Sequence, residues 1–393
     1  MSADPGPRQS TSDPEPVQSV TVRRPAPSMG IVVAAVGLSS AFVGWPTTVT
    51  SVGDVAVVPA VLGGIATGVF LARRHGVVDR STGAVVAAVA SIGLLAYSAY
   101  GLGAHLAVGT PRPPLGVGVP LSALAGVGGA VAASADRRAI PPEQIRSGMA
   151  TAATAAAVGI GGFAVIVVFQ YLFVLALAPV GVEPTGTPGT LIGTLALGFG
   201  TATTALAYVR ATDASLAFLD FGRPSLRDAG YAVAGVVGLF GALIGVRYAF
   251  RAVAVESAEH GVVEQAQTNP EILLVLVPAS LLIVGPGEEL LFRNVVQKSL
   301  YESFSRPPAV VIASLVFAVV HFQAYGTGSV LQIASSLAIV FGLSLILGGL
   351  YARTDNVVVP AFAHGSFNAI QFAALYLSAK GIEVDLTLVA VLL

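Results

Sequence analysis

Long apolar stretches separated by short polar segments run through almost the whole chain. They lie at about residues 29–46, 55–72, 83–108, 117–135, 148–178, 189–209, 229–250, 271–285, 306–322, 329–351 and 356–378. Most contain the roughly 17–25 residues with which an apolar helix crosses the hydrocarbon core of a bilayer. The pattern therefore predicts an all-α, polytopic transmembrane helix bundle of about 10 or 11 spans.

The polar segments divide the chain into a tail and two membrane modules. Residues 1–28 contain six prolines and almost no large apolar side chains, so we expect a disordered tail. Residues 29–250 form an N-terminal transmembrane module to which the sequence assigns no task. Within it, residues 210–228 mix charge with leucine and phenylalanine, which predicts a loop containing an interfacial helix. A second exposed loop, 251–270, is the expected boundary, and everything chemically unusual follows it in residues 271–380.

Composition narrows the possible functions. Of the 393 residues, 54% are hydrophobic and only 10% are charged, which excludes a soluble globular protein. The formal net charge of −1 offers no basic surface for nucleic acid, so we expect no such partner. The chain contains no cysteine, which excludes disulfides, thiolate metal sites and cysteine nucleophiles. Chemistry must come from carboxylates, histidines and hydroxyls.

The distribution of Lys and Arg predicts how the chain lies in the membrane. If the tail is cytoplasmic, alternation of the predicted spans puts 16 of the 20 cations on the cytoplasmic side. These are Arg8, Arg23, Arg24, Arg73, Arg74, Arg80, Arg137, Arg138, Arg146, Arg210, Arg223, Arg227, Arg293, Lys298, Arg306 and Arg353. The chain is thus predicted to be an integral, multi-pass membrane protein with a cytoplasmic N-terminus.

Two adjacent glutamates stand where the first span of the second module ends. The segment 285–293, GPGEELLFR, follows only about 15 apolar residues, which cover about 22 Å of a roughly 30 Å core. We expect the carboxylates inside or just below the hydrocarbon slab, where Pro286 and its neighbouring glycines can interrupt the helix. Glu289 and Arg293 are four apart, share a helix face and are predicted to pair. Glu288 points elsewhere and is the candidate general base.

Two histidines in later spans are predicted to complete a site. Residues 288–304 and 306–322 flank a turn, and Glu288 and His321 are about equally far from it along the two arms. An antiparallel hairpin therefore brings the imidazole beside the carboxylate. His364 and Asn368 are four apart near the start of the last span, so one helix face presents both. Both groups can donate a hydrogen bond to a developing oxyanion.

These residues carry a family resemblance. The three motifs are Glu288-Glu289-x-x-x-Arg293, Phe317-x-x-x-His321 and His364-x-x-x-Asn368. In this order and inside apolar helices, they resemble the signature of the CPBP family. That family comprises intramembrane proteases, among them type II CAAX prenyl endopeptidases, and bacteriocin-processing or immunity proteins. The chain departs from the pattern at Asn294, where the family often has glycine.

The resemblance implies a function and a role for each motif residue. It implies an intramembrane endopeptidase in which Glu288 and His321 activate the attacking water. His364 and Asn368 would stabilise the oxyanion, and Glu289 with Arg293 would occupy supporting positions. The substrate would be a peptide or membrane protein in the lipid bilayer, and a prenylated chain is one such substrate. CAAX processing is one form that this proteolysis can take.

Three alternatives remain open on the residues alone. Glu288, His321 and His364 are acceptable zinc ligands, so a metal-dependent enzyme is possible, although the preferred mechanism requires no cofactor and the chain has no His-Glu-x-x-His helix. A proton-coupled transporter would use the same acids and imidazoles as a proton relay. A non-catalytic immunity or scaffold protein would use the same pocket to bind a peptide.

Overall fold

The helices follow the apolar stretches closely. A computed structural model describes residues 24–41, 57–107, 118–252, 256–325 and 328–382. The helices are α1 Pro25–Ser40, α2 Val57–His75, α3 Arg80–Ala107, α4 Gly118–Arg137, α5 Pro142–Leu177, α6 Gly186–Ala211, α7 Leu226–Ala252, α8 Gly261–Thr268, α9 Ile272–Leu300, α10 Arg306–Val320, α11 Val330–Thr354 and α12 Val358–Ala379. No strand occurs in the described ranges.

The predicted all-α, polytopic class is confirmed, with one boundary difference at the end of the tail. Eight helices in the described part are long and apolar enough to cross a membrane, namely α2, α3, α5, α6, α7, α9, α10 and α11. Helix α1 is apolar but shorter, and α4 and α12 are not among the eight. Pro25–Ser28, which the sequence assigned to the tail, form the first turn of α1, because proline fits the first helical position. The rest of the predicted tail lies outside the described residues.

Helices α1 to α4 form an antiparallel bundle with its own core. Small residues dominate the contacts, and a Cβ at Gly30 would lie 2.5 Å from the ring of Phe70. At one end of this bundle, Arg73 of α2 forms a buried ion pair with Asp136 of α4, with 2.7 Å from Nε to Oδ2 and 3.0 Å from Nη2 to Oδ1. Arg73 also donates to the Val78 carbonyl oxygen at 2.8 Å. The pair fixes the end of α2 to the end of α4.

Helices α5, α6, α9, α12, α7, α11 and α10 pack in that order into a closed ring. Glycines bring the backbones together around it. A Cβ at Gly200 in α6 would lie 2.7 Å from the Ile166 Cα in α5, and one at Gly235 in α7 would lie 2.5 Å from Leu350 in α11. The C-terminal half of α9 also contacts α5, α6 and α10. This half of α9 therefore fills one end of the ring.

Helix α9 is continuous through Pro286, where the sequence allowed an interruption. Wider π-helical turns at Ser280–Val284 and Leu290–Gln297 flank a short α-helical segment, Gly285–Glu289. A π-turn shifts the hydrogen-bonding register by one residue, which accommodates a proline without breaking the helix. Both glutamates of the motif therefore lie within one continuous helix rather than beside a loop.

The loop between α6 and α7 also differs from the expectation. It contains a single 3₁₀ turn, Leu216–Phe218, instead of an interfacial helix. The following backbone is held by tertiary hydrogen bonds, with Val357 N–H donating to the Asp220 carbonyl oxygen at 3.0 Å. Contacts with α9 and α12 decide its conformation, and such contacts cannot be inferred from the charge pattern of the loop.

Breaking the ion pair of the N-terminal bundle tests its contribution to stability. We expect Asp136→Ala to lower the free energy of unfolding by about 3–5 kcal/mol, because it leaves the buried Arg73 guanidinium without its carboxylate. Thermal unfolding in detergent measures this change. The exposed neighbour Arg74→Ala is the matched control and should leave stability nearly unchanged. Arg73→Met combined with Asp136→Leu should recover most of the loss, and equal effects of Asp136→Ala and Arg74→Ala would contradict the assignment.

Candidate active site

Two glycines place the acidic segment of α9 directly against α12. A Cβ at Gly285 would lie 2.7 Å from the Ala361 carbonyl oxygen and 2.8 Å from the Gly365 nitrogen. A Cβ at Gly365 would lie 2.5 Å from the Ser280 carbonyl oxygen. Small residues allow this close approach of helices in lipid. As a result, the side chains just after Gly285 meet those beside Gly365.

The Glu289 carboxylate lies at the centre of a buried polar cluster. Its Oε2 accepts a hydrogen bond from Arg293 Nε at 2.8 Å, and its Oε1 is 2.9 Å from His364 Nδ1. Both Glu289 and Arg293 are fully buried. Arg293 also donates from Nη2 to Ser344 Oγ at 3.0 Å, and its guanidinium lies 5.0 Å from the centre of the Phe317 ring. The cluster thereby joins α9, α10, α11 and α12.

Glu288 faces the two imidazoles. Its Oε2 is 3.9 Å from His321 Nε2 and 3.8 Å from His364 Nε2. The same oxygen is buried and makes no hydrogen bond to the described residues. The sequence predicted the approach of His321 to Glu288 from the hairpin. It assigned His364 to the oxyanion, yet the structure places that imidazole equally close to the carboxylate.

Hydrogen bonds to the Nδ1 atoms orient both rings. His321 Nδ1 is 2.7 Å from the Phe317 carbonyl oxygen, which can only accept, so Nδ1 carries the proton. A neutral His321 therefore presents the lone pair of Nε2 to Glu288. His364 Nδ1 faces the Glu289 carboxylate in the same way. The Phe317 ring packs against His321 with 4.3 Å between ring centres, and that contact restrains the imidazole.

One cavity of about 810 Å³ is lined by Glu288, His321, His364 and Asn368. Asn368 follows His364 by one turn of α12, as the four-residue spacing predicts. Away from these four residues, the walls of the cavity are mostly apolar and are built from α6, α7, α9, α11 and α12. Residues of α8 line the end of the cavity that is near the start of α9. The cavity is large enough to hold several water molecules or a short stretch of peptide.

The structure thus places all six site residues predicted from the sequence in one region. Glu288, His321, His364 and Asn368 face the cavity, while Glu289 and Arg293 lie behind them. Sequence reasoning did not identify Ser344, which stands in an apolar run of α11 and carries no local signal. The catalytic roles of the six residues stay predictions at this point.

Asn294 connects the site helix to the loop after α6. Its Oδ1 accepts from Asp220 N–H at 2.8 Å, and its Nδ2 donates to the Phe218 carbonyl oxygen at 3.0 Å. Lys298 pairs with Asp220 at 2.8 Å, and the Tyr351 hydroxyl donates to the same carboxylate at 2.6 Å. Asn294, where the resembled family often has glycine, is therefore a structural residue of this layer.

His260 also lines the cavity, and it caps the short helix α8. Its Nδ1 accepts from Val262 N–H at 3.1 Å, and its ring meets the Tyr325 ring edge-on at 5.2 Å between centres. Burial, with a smaller contribution from the nearby His321, lowers the pKa of His260 to about 4. His260 is consequently uncharged at neutral pH and belongs to the wall of the cavity.

The residues beside Glu288 have the chemistry of metal ligands but an open spacing. One carboxylate and two imidazoles with oriented Nδ1 atoms are ligand types that suit zinc. Among the described residues, however, no group of three or more His, Cys, Asp or Glu side chains is arranged to hold a metal ion. Distances of 3.8 and 3.9 Å from the carboxylate oxygen leave room for a water molecule that contacts all three groups.

Comparison with known proteins identifies the region that carries this site. Residues 270–370 match the family model of the type II CAAX prenyl endopeptidases, Rce1-like. The match covers about a quarter of the chain and includes all six site residues. It confirms the resemblance to the CPBP family that the three motifs indicate. No curated protein and no solved structure matches the chain.

The glycine contact between α9 and α12 can be tested by adding one methyl group. We expect Gly285→Ala to destabilise the protein by about 1–3 kcal/mol, because the Cβ collides with backbone that cannot rotate away. Gly241→Ala in α7 is the matched control, since nothing lies within 4 Å of its Cβ position. The control should be neutral or more stable by about 0.5–1 kcal/mol. Equal melting temperatures for both variants in detergent would contradict the close contact.

Proposed function

We propose that the Rce1-like region of this chain is an intramembrane endopeptidase in which Glu288 activates a water molecule. The observation that supports it best is the convergence of Glu288 Oε2, His321 Nε2 and His364 Nε2 at one point of a cavity. A water at that point meets a carboxylate oxygen, Oε2 of Glu288, that accepts no hydrogen bond from the described residues. Proton transfer from this water to Glu288 produces the hydroxide that attacks the scissile carbonyl carbon.

His321 positions the nucleophile in this mechanism. Because its Nδ1 donates to the Phe317 carbonyl, its Nε2 is free to accept a hydrogen bond from the same water. Glu288 and His321 then hold the water in one orientation, with a remaining lone pair aimed at the substrate. The Glu288 carboxyl later returns its proton to the amine of the leaving peptide, which completes the hydrolysis.

His364 and Asn368 stabilise the tetrahedral oxyanion. With Nδ1 engaged by Glu289, a protonated His364 can donate from Nε2 into the cavity, and the Asn368 amide supplies a second donor. The ion pair of Glu289 with Arg293 keeps the imidazole in place. These two residues act through His364, so they are positioning residues in this proposal.

We propose a peptide or membrane-protein substrate that is cleaved at the bilayer. The apolar walls of the cavity favour hydrophobic side chains on either side of the scissile bond. CAAX-type processing of a prenylated chain is one member of this class. A proton-coupled transporter is less well supported, because a tightly packed polar layer separates the cavity from the other end of the bundle.

We also propose that the N-terminus is cytoplasmic, because this orientation satisfies the distribution of Lys and Arg. Five of the described helices end at residues 75, 137, 211, 300 and 354. Most of the described Lys and Arg residues lie near these ends or in the loops that follow them. Positively charged loops are retained on the cytoplasmic side during insertion. Since α1 begins on this same face, the tail that precedes it would lie in the cytoplasm.

Replacing the proposed base tests the reaction directly. We expect Glu288→Gln to lower the cleavage rate by at least 10²-fold, because the amide cannot accept the proton of the water. Glu302→Gln, on an exposed turn, is the control and should leave the rate unchanged. Quantitative proteomics of membranes from cells with each variant should reveal precursors that accumulate only with Glu288→Gln. An unchanged precursor profile, together with wild-type thermal stability, would contradict the enzyme and favour a peptide-binding scaffold.

Metal dependence is tested separately. We expect the purified protein to keep its cleavage rate in a strong chelator, because carboxylate and imidazole suffice to activate the water. Elemental analysis of the same sample should find less than one zinc per chain. Loss of activity in chelator that zinc restores would instead show that Glu288, His321 and His364 are metal ligands.

A further inference from the structure

The cavity above the proposed site extends to one end of the helix bundle. Along α9, the cavity is lined by Ile272, Leu276, Val284 and Glu288, which are four or eight residues apart and share one face of the helix. From the first to the last of these, about 16 residues of helix cover about 24 Å. The lining also includes the turn at residues 184–186 and several residues of α8. The cavity mouth is therefore formed by the α5–α6 turn and by residues 257–269.

The other end of the bundle is closed. Residues Leu291, Val295, Val296, Gln297 and Leu300 of α9 are fully buried directly after the site. Gln297 donates to the Gly348 carbonyl oxygen at 3.0 Å, which fixes α9 to α11. Below it, the layer around Asn294 and Asp220 connects the loop after α6 to α9 and α11 by several hydrogen bonds. A peptide cannot reach Glu288 from this end without breaking that layer.

The two ends carry very different numbers of cations. The closed end has thirteen of the described Lys and Arg residues: Arg24, Arg73, Arg74, Arg80, Arg137, Arg138, Arg146, Arg210, Arg223, Arg227, Lys298, Arg306 and Arg353. The end with the mouth has three, Arg247, Arg251 and Lys380. It also has five exposed glutamates: Glu183, Glu256, Glu259, Glu264 and Glu271. The positive-inside rule therefore puts the closed end in the cytoplasm.

We infer that the site is reached from the non-cytoplasmic side of the membrane. The open mouth and the cation-rich closed end lie at opposite faces of the bundle, so water and substrate both arrive from outside the cytoplasm. This inference rests on the proposed endopeptidase and narrows its substrate to peptide segments exposed on the outer face or delivered from it. A chain presented from the cytoplasm, such as a prenylated C-terminus made there, would meet the closed end.

Because the chain contains no cysteine, a single introduced cysteine reports the side of the membrane. Glu264→Cys lies in α8 at the mouth, and Glu302→Cys lies at the closed end; both positions are exposed. In intact cells or spheroplasts, a membrane-impermeant maleimide should label the cysteine at position 264 strongly. The cysteine at position 302 should be labelled only after permeabilisation. The reverse pattern would overturn the inference.

A third position tests access to the cavity itself. Thr190 lines the cavity wall on α6, one turn inside the mouth. A small, charged methanethiosulfonate added outside intact cells or spheroplasts should modify Thr190→Cys within minutes, whereas the same reagent added outside inverted vesicles, whose cytoplasmic face points outward, should be at least tenfold slower. Equal rates from both sides would contradict a single mouth on the outer face. Wild-type protein, which lacks cysteine, gives the background in every experiment.

These measurements separate the direction of access from the chemistry. Labelling needs no turnover, so it locates the mouth even if Glu288→Gln leaves the precursor profile unchanged. Conversely, a mouth on the cytoplasmic side combined with loss of cleavage in Glu288→Gln would keep the proposed endopeptidase and refute only the outer access. Each of the three cysteine variants should first be shown to have the same melting temperature as the wild type.

Discussion

The buried carboxylate of Glu289 is the interaction on which the site depends. An ion removed from water costs several kcal/mol unless it is paired and its remaining lone pairs are satisfied. Arg293 and His364 satisfy both oxygens of Glu289, and Ser344 and the Phe317 ring hold Arg293 in turn. Since these partners come from four helices, the carboxylate can be buried only when all four are correctly placed. Folding of the site and pairing of Glu289 are therefore one event.

The environment of the neighbouring Glu288 is the opposite of that of Glu289. Successive residues on a helix point about 100° apart, so a fixed Glu289 leaves Glu288 directed into the cavity. There its Oε2 faces two imidazole nitrogens without a hydrogen bond. An isolated carboxylate inside a membrane protein is costly and is retained where it has a function. One glutamate thus stabilises the structure that holds the other in a less favourable environment.

Much of this site follows from spacing along the sequence, and the remainder depends on contacts between distant segments. Four-residue spacing predicted the pair of Glu289 with Arg293, and the hairpin predicted the approach of His321 to Glu288. The distances of 2.8 and 3.9 Å agree with both. The π-turns that carry α9 through Pro286, and the bond from Arg293 to Ser344 51 residues away, had no local signal. The periodicity of a helix predicts which side chains share a face, but it does not predict which other helix packs against that face.

In the proposed enzyme, access through the end of the cavity near α8 has a consequence for the order of events. Lipid cannot supply the nucleophile, so the water that replaces each consumed molecule must diffuse through the same cavity that the substrate occupies. The walls near the mouth are lined by Thr190, Gln265 and Asn269 among apolar residues, which allows water to enter beside a bound peptide. The site itself, about 24 Å from the start of α9, stays surrounded by buried side chains. In the proposed mechanism, such an arrangement would restrict hydrolysis to peptide segments that are flexible enough to extend into a narrow cavity, because a folded helix with its side chains is about 10 Å wide.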